Sequence, residues 1–178
     1  AIRICQHAGI QVKMITGDHP GTASVIARDI GLAGHGQTMS GQEIDQLAGK
    51  AEFREKVGQT AVFARVSPEN KLQIVHALRD NGDVIAMTGD GVNDAPALNV
   101  ADIGIAMGIR GTEVAKEASD MILTDDRFST IVDAVREGRT IFANIKKYVP
   151  FLFSCNMVEI VTVLLSVLFL APMPIRPL

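Results

Sequence analysis

Apolar and polar positions fall into two regimes along this chain. Up to about Asp125, short apolar runs alternate with stretches of helical period; from Ser129 one helical pattern runs on into a long apolar run. In the first regime the chain enters at once in helical pattern. QVKMITG, Gln11 to Gly17, then predicts a strand ending on a glycine turn. PGTASVIARDIGL, Pro20 to Leu32, predicts a helix with proline near its start and glycine near its end. AGHGQTMSGQEIDQLAGK is rich in glycine and polar residues and predicts a looser excursion with one short helix, Glu43 to Leu47. AVFARV is the next strand. Ser67 has the character of an N-cap with Pro68 at the first helical position, opening a helix through ENKLQIVHALRD that stops near Gly82. DVIAMTGD, DIGIAM and DMILTD are further strands, with helices in DAPALNVA and TEVAKEAS between them. Strand–helix alternation of this kind predicts an α/β fold with a parallel sheet and right-handed crossovers.

In the second regime Ile131, Val135, Ile141, Phe142 and Ile145 form an apolar stripe, while Asp133, Arg136, Glu137 and Arg139 mark the wet side. Only Gly138 and Pro150 interrupt the pattern, so one long helix is expected to lead into the run Val149 to Leu170. At 1.5 Å per residue that run reaches roughly 33 Å, enough to cross a bilayer. Lys146 and Lys147 just before it place its start on the cytoplasmic side by the positive-inside rule. The three prolines of APMPIRPL end the helix. A buried core helix of a soluble protein is the alternative, and such helices seldom need so long an all-round apolar surface.

Composition narrows the picture further. Sixteen glycines and eight aromatics among 178 residues suit a turn-rich α/β fold better than a β-sandwich. A net charge of −3 suggests no nucleic-acid partner. Cys5 and Cys155 are far apart and lack metal-ligand spacing, and the four histidines are scattered. No signal peptide is seen at the N-terminus, and the abrupt helical start is expected of a piece of a longer protein.

In open parallel sheets ligands bind outside the carboxyl ends of the strands. Two strands here end alike, in MITGD and AMTGD, each delivering a Thr-Gly-Asp to that edge. Glycine lets backbone amides approach a phosphate, threonine adds a hydroxyl, and aspartate can hold a hard cation. Thr16, Gly17 and Asp18 alone are equally well read as ordinary turn chemistry. The second instance, MTGDGVNDAPAL, is richer: Asp90, Asn93 and Asp94 crowd one strand end. Such carboxylates repel unless a cation sits among them, and Mg²⁺ prefers few carboxylates plus phosphate oxygens and water. Asp94 could instead be a plain helix N-cap. Lys71, on the first turn of the SPENKLQIV helix, could point at the same edge and neutralise phosphoryl charge, or be a solvated surface lysine. In the apolar run, Asn156 and Glu159 are three apart and share a helix face. A charged residue at mid-membrane costs about 2.5–3.5 kcal/mol and marks a pathway, unless Glu159 is protonated in an inter-helix hydrogen bond.

Taken together, MITGDHPGTA, FARVSPENKLQIV, TGDGVNDAPALNVADIGIAMG and GTEVAKEASDMILTDDRFSTIVDAVREGRTIFANIKKYV resemble a P-type cation-transporting ATPase, in order over almost the whole chain. The resemblance implies a partial haloacid-dehalogenase-like Rossmann fold over 1–126, a connecting stalk helix over 127–148, a transmembrane helix over 149–170 and an extracytoplasmic loop over 171–178. It implies Mg²⁺ and ATP as cofactor and substrate, with the phosphorylation domain cytoplasmic on an integral membrane protein. Its partners would be the bilayer, the transported cation and the pump's remaining domains and membrane helices. Residue by residue, Thr16, Gly17 and Asp18 match a motif at the phosphate and nucleotide, and Lys71 a lysine on the transferred phosphoryl group. Asp90 matches a Mg²⁺ ligand, and Asn93 and Asp94 residues that hold the phosphate, lysine and metal surroundings. SCNMVEI resembles the fifth membrane helix of calcium pumps, where Asn156 and Glu159 would bind the transported cation. Sodium/potassium pumps carry the same pair, so Ca²⁺ is favoured and Na⁺/K⁺ stays open. The family's Asp-Lys-Thr-Gly-Thr is absent from these residues. The isolated chain is therefore expected to be inactive, with its two Thr-Gly-Asp strands deprived of a shared neighbour. A soluble phosphohydrolase of the same fold superfamily, and a non-catalytic chain docking on another, are the other readings.

Overall fold

The computed structural model describes residues 1–32 and 37–169. The loop APMPIRPL, Leu170 at the end of the expected membrane segment, and the first residues of the excursion lie outside that description. The chain divides into two compact units, Ala1–Val132 and Asp133–Leu178.

The first unit is built in the expected alternation. Helix α1 (Ile2–His7) precedes β1 (Met14–Ile15), α2 (Pro20–Asp29), β2 (Gln37–Ser40), α3 (Gly41–Leu47), α4 (Ala51–Gln59), β3 (Thr60–Ala64) and α5 (Pro68–Asp80). Then come β4 (Ala86–Gly89), a 3₁₀ turn (Val92–Asp94), α6 (Ala95–Val100), β5 (Ile103–Met107), α7 (Glu113–Glu117) and β6 (Met121–Leu123). All strand pairs are parallel, but they form two three-stranded sheets, ordered β1-β3-β2 and β4-β5-β6. Among the described residues β1 pairs only with β3 and β4 only with β5. This is the division expected if the two Thr-Gly-Asp strands lack a shared neighbour. β1 is two residues long where QVKMIT predicts six.

β3 is buried at every position, as a central parallel strand covered on both faces should be. Phe63, Ile44, Ile74, Val57 and Phe53 form one core cluster, and Leu98, Val75, Met87 and Ala106 a second. Ile15 and Ile85 pack against both, so apolar contact joins the two sheets where backbone pairing does not. The excursion is more ordered than the composition suggests. It contains β2, paired to β3, and directly after it comes a helix the sequence pattern did not assign, α4, whose Phe53 and Val57 are four apart and buried. Lys13 Nζ donates to the carbonyls of Val57, Gly58 and Thr60 at 3.0, 2.8 and 2.7 Å, closing the end of α4 and holding the approach to β1.

Helix α8 (Phe128–Leu168) begins in the first unit, where Ile131 packs with Ile105 and Leu123, and continues through the second with Pro150 inside it. The helix is long and apolar enough to cross a membrane by length and composition, and its most apolar window is not buried within the chain. Phe151, Phe153, Val158 and Leu164 are all exposed. That all-round apolar exposure disfavours the soluble-core alternative.

Candidate functional site

Both Thr-Gly-Asp segments leave the carboxyl ends of parallel strands, one in each sheet. The second carries the denser chemistry. After Gly89 the chain makes the 3₁₀ turn, which brings Asp94 back over the end of β4. Asp94 Oδ2 accepts from the backbone amides of Asp90 and Gly91 at 3.2 and 3.1 Å. Only glycine allows this return: a Cβ on residue 89 would sit 2.5 Å from Asp94 Cβ. Asp94 occupies the N-cap position of α6, but its side chain makes no cap bond there. The carboxylate is spent on the loop behind it instead.

Lys71 reaches the same carboxylate, with Nζ 2.5 Å from Asp94 Oδ1. It stands on the first turn of α5. There Ser67 and Asn70 form a reciprocal capping box and Pro68 fixes the entry dihedral. Asn70 is 2 % exposed and donates at 2.6 Å to Asp45 of α3, so the Lys71 turn is tied into the core. Burial pushes the Asp94 carboxyl upward. The Lys71 hydrogen bond, the Gly91 amide, the Lys71 charge and the Asp90 amide outweigh it, leaving the group below the ordinary carboxylate range.

The crowding of carboxylates is thus relieved by the protein's own cation: the Lys71 ammonium and two amides meet the charge of Asp94, while Asp90 stays exposed. Among the described residues no three His, Cys, Asp or Glu side chains gather in a metal cage. One exposed carboxylate, on a loop held by the lysine-paired Asp94, fits a cation that takes most of its ligands from phosphate and water, as Mg²⁺ does, and does not fit an all-protein cage. Asn93 is exposed on the 3₁₀ turn beside Asp90.

The first Thr-Gly-Asp is simpler. Thr16 Oγ1 accepts from the Asp18 amide at 3.1 Å, a local turn bond, and the Thr16 and Asp18 carbonyls accept from Val66 and Arg65. Gly17 and Asp18 are exposed. Those bonds tie this turn to the β3–α5 connection, which leads directly into the Lys71 helix. Asn156 and Glu159 both lie on α8, in the second unit, and are exposed. Two carboxylates that bond backbone amides beneath the site were not singled out from the sequence. Asp102 accepts from Ile85 N at 2.9 Å and Asp120 from Gly104 N at 2.8 Å, each at the entrance of a strand. Their neighbours in sequence look like ordinary turn residues, so no local signal separates them.

Comparison with known proteins adds an independent line. A family model described as haloacid dehalogenase-like hydrolase matches residues 1–102. The chain is 52 % identical over its whole length to calcium-transporting ATPase 1 of Bacillus cereus (strain ATCC 10987 / NRS 248), covering 20 % of that protein. It is 50 % identical over 99 % of its length to the human calcium-transporting ATPase type 2C member 2, covering 19 % of it. The chain therefore spans about a fifth of the curated relatives it matches. Among solved structures, a zinc-transporting PIB-type ATPase in its E2.Pi state superposes with a TM-score of 0.72 at 30 % identity, over 93 % of this chain and 22 % of that one.

Proposed function

This chain belongs to the haloacid dehalogenase-like hydrolase family, and from that premise we propose that it is the distal part of the phosphorylation domain, with the following helix, of an ATP-driven P-type cation pump. The observation that carries the reading is the Lys71–Asp94–Asp90 arrangement: one carboxylate, folded back on glycine at a strand end, bonds both the Lys71 ammonium and the backbone amide of the exposed Asp90. Identity of about half over the full length to pumps named for calcium supports it.

In this reading Asp90 holds Mg²⁺, which supplies charge neutralisation at the phosphoryl oxygens when bound. Lys71 provides a second positive charge at the transferred phosphoryl group. Asp94 keeps the ammonium on station and, through the Asp90 amide, fixes the start of the metal-bearing loop. Asn93 lines the same edge, and Thr16, Gly17 and Asp18 approach the phosphate and nucleotide from the neighbouring sheet. The acceptor aspartate belongs to an Asp-Lys-Thr-Gly-Thr that these residues do not contain, so the chain alone has no ATPase activity. Segments 1–126, 127–148 and 149–170 serve as partial phosphorylation domain, stalk and membrane span, with the first on the cytoplasmic side as Lys146 and Lys147 favour. Asn156 and Glu159 share a helix face and offer hard oxygen donors, which suit Ca²⁺ as the transported ion.

Two measurements on the full-length pump test this. Asp90→Asn abolishes Mg²⁺-dependent transfer of the ATP γ-phosphate to the protein; retention of transfer would remove Asp90 from the site. Glu159→Gln raises the Ca²⁺ concentration needed for that phosphorylation. Unchanged Ca²⁺ dependence would remove Glu159 as a ligand, and a response to Na⁺ in place of Ca²⁺ would reassign the cargo.

A further inference from the structure

The loop after β5 plays no part in the reading above, yet it is held at almost every residue. Ile109 N donates to Asp126 Oδ1 at 3.0 Å, and Arg110 N to Asp126 Oδ2 at 2.9 Å. Gly108 N donates to the Leu123 carbonyl at 2.8 Å. The chain then doubles back so tightly that a Cβ on Gly111 would lie 1.9 Å from the Met107 carbonyl oxygen, which no side chain tolerates. The next amide, Thr112 N, donates to the carbonyl of Asp90 at 2.8 Å.

Asp126 is itself firmly set. Its side chain is 5 % exposed, while that of Arg110, 3.6 Å away, is 76 % exposed. Its φ of +51° lies in the left-handed region, which aspartate enters more readily than most residues but which still costs strain. Its neighbour Asp125 accepts from Arg127 N at 3.0 Å and from Thr130 Oγ1 at 2.7 Å, anchoring the backbone at the start of α8. A connected path therefore runs from this anchored pair, through the loop, to the backbone of Asp90.

We propose that Asp126 is a positioning residue for the phosphate site: it fixes the Gly108–Gly111 loop so that the Thr112 amide holds the Asp90 carbonyl, and with it the direction from which Asp90 meets a divalent cation. Asp126 touches neither substrate nor metal. The proposal rests on the reading of Asp90 as the Mg²⁺-holding residue.

The test uses the full-length pump, with Mn²⁺ binding in the presence of inorganic phosphate read by electron paramagnetic resonance, and amide exchange of residues 109–112. Asp126→Asn leaves one oxygen for two amides and sets an NH₂ against a backbone N–H. It is expected to weaken Mn²⁺ binding about tenfold, as loss of an outer-shell partner does, and to speed exchange of the loop. Arg110→Ala removes the exposed guanidinium that pairs with Asp126 at 3.6 Å but keeps both amide bonds to its carboxylate; so exposed a pair is worth little, and both readouts stay unchanged. Thr112 provides a second route should Asp126→Asn fail to fold. Its φ of −68° suits proline, so Thr112→Pro replaces the N–H that holds the Asp90 carbonyl with a ring methylene that pushes that oxygen away, while Asp126 stays intact. Thr112→Ala keeps that amide and loses only the hydroxyl that caps α7. Weaker Mn²⁺ binding in Thr112→Pro than in Thr112→Ala supports the proposal. Equal binding in the two, or a loosened loop in Asp126→Asn with wild-type Mn²⁺ affinity, overturns it. Wild-type Mn²⁺ affinity in Asp90→Asn would instead sink the underlying site, whatever Asp126 does.

Discussion

At the scale of single residues, the pairing of Lys71 with Asp94 decides how the site can work. Their side chains are 20 % and 9 % exposed, so the pair is shielded enough to matter and open enough for a phosphate to approach. Lys71→Met leaves a largely buried carboxylate with two amides and no cation, which should cost about 1.5–3 kcal/mol. The pH dependence follows from the direction of the Asp94 shift. Its folded-state pKa lies below the ordinary 3.8. The pair thus contributes its stability above that value and loses it as pH falls through the lower, folded one. Thermal midpoints of the full-length protein should therefore fall more steeply in acid for wild type than for Lys71→Met. Parallel curves would show that Asp94 draws nothing from the lysine. The residue types were legible in TGDGVND and SPENK, because charge and glycine at a strand end already suggest phosphate chemistry. That Asp94 bonds backwards was not. Four-residue spacing suits an N-cap equally well, and only the 3₁₀ turn over Gly89 decides between them.

At the scale of elements, the stretch between α2 and β3, made of the glycine-rich excursion and an unassigned segment after it, departs most from what the pattern predicts. Its strand and second helix are hard to read because β2 offers one buried apolar residue, Met39, and α4 only two, Phe53 and Val57. So few positions give a weak period. Both elements exist because β3 offers a free edge and the first core cluster a place for Phe53. Phe53→Ala should lower the opening free energy of α4 by about 3 kcal/mol, seen as faster amide exchange across Ala51–Gln59 in the full-length protein. Glu52→Ala, on the exposed side of the same helix, should change it by less than about 0.5 kcal/mol. Equal effects would mean that α4 is not core-bound. The helix of the second unit was legible throughout, since a stripe of helical period passing without a breaker cluster into an apolar run leaves few other solutions.

At the scale of the whole molecule, the two half-sheets govern behaviour. Among the described residues β1 and β4 each leave one edge without a strand, and such edges pair with other chains. The isolated chain, even cut after Lys147, should aggregate on purification; a well-dispersed, cooperatively unfolding monomer would count against open edges as the cause. The sequence by itself determined the parallel α/β class, the two Thr-Gly-Asp strand ends and the membrane-length helix. Each is written in short-range periodicity or in residues adjacent along the chain. Tertiary structure alone decided which strands pair, that Lys71 meets Asp94 across 23 residues, and that the Asp126 loop reaches the Asp90 carbonyl. Those contacts join segments distant in sequence, and their geometry is fixed by packing and backbone hydrogen bonding that no local pattern encodes.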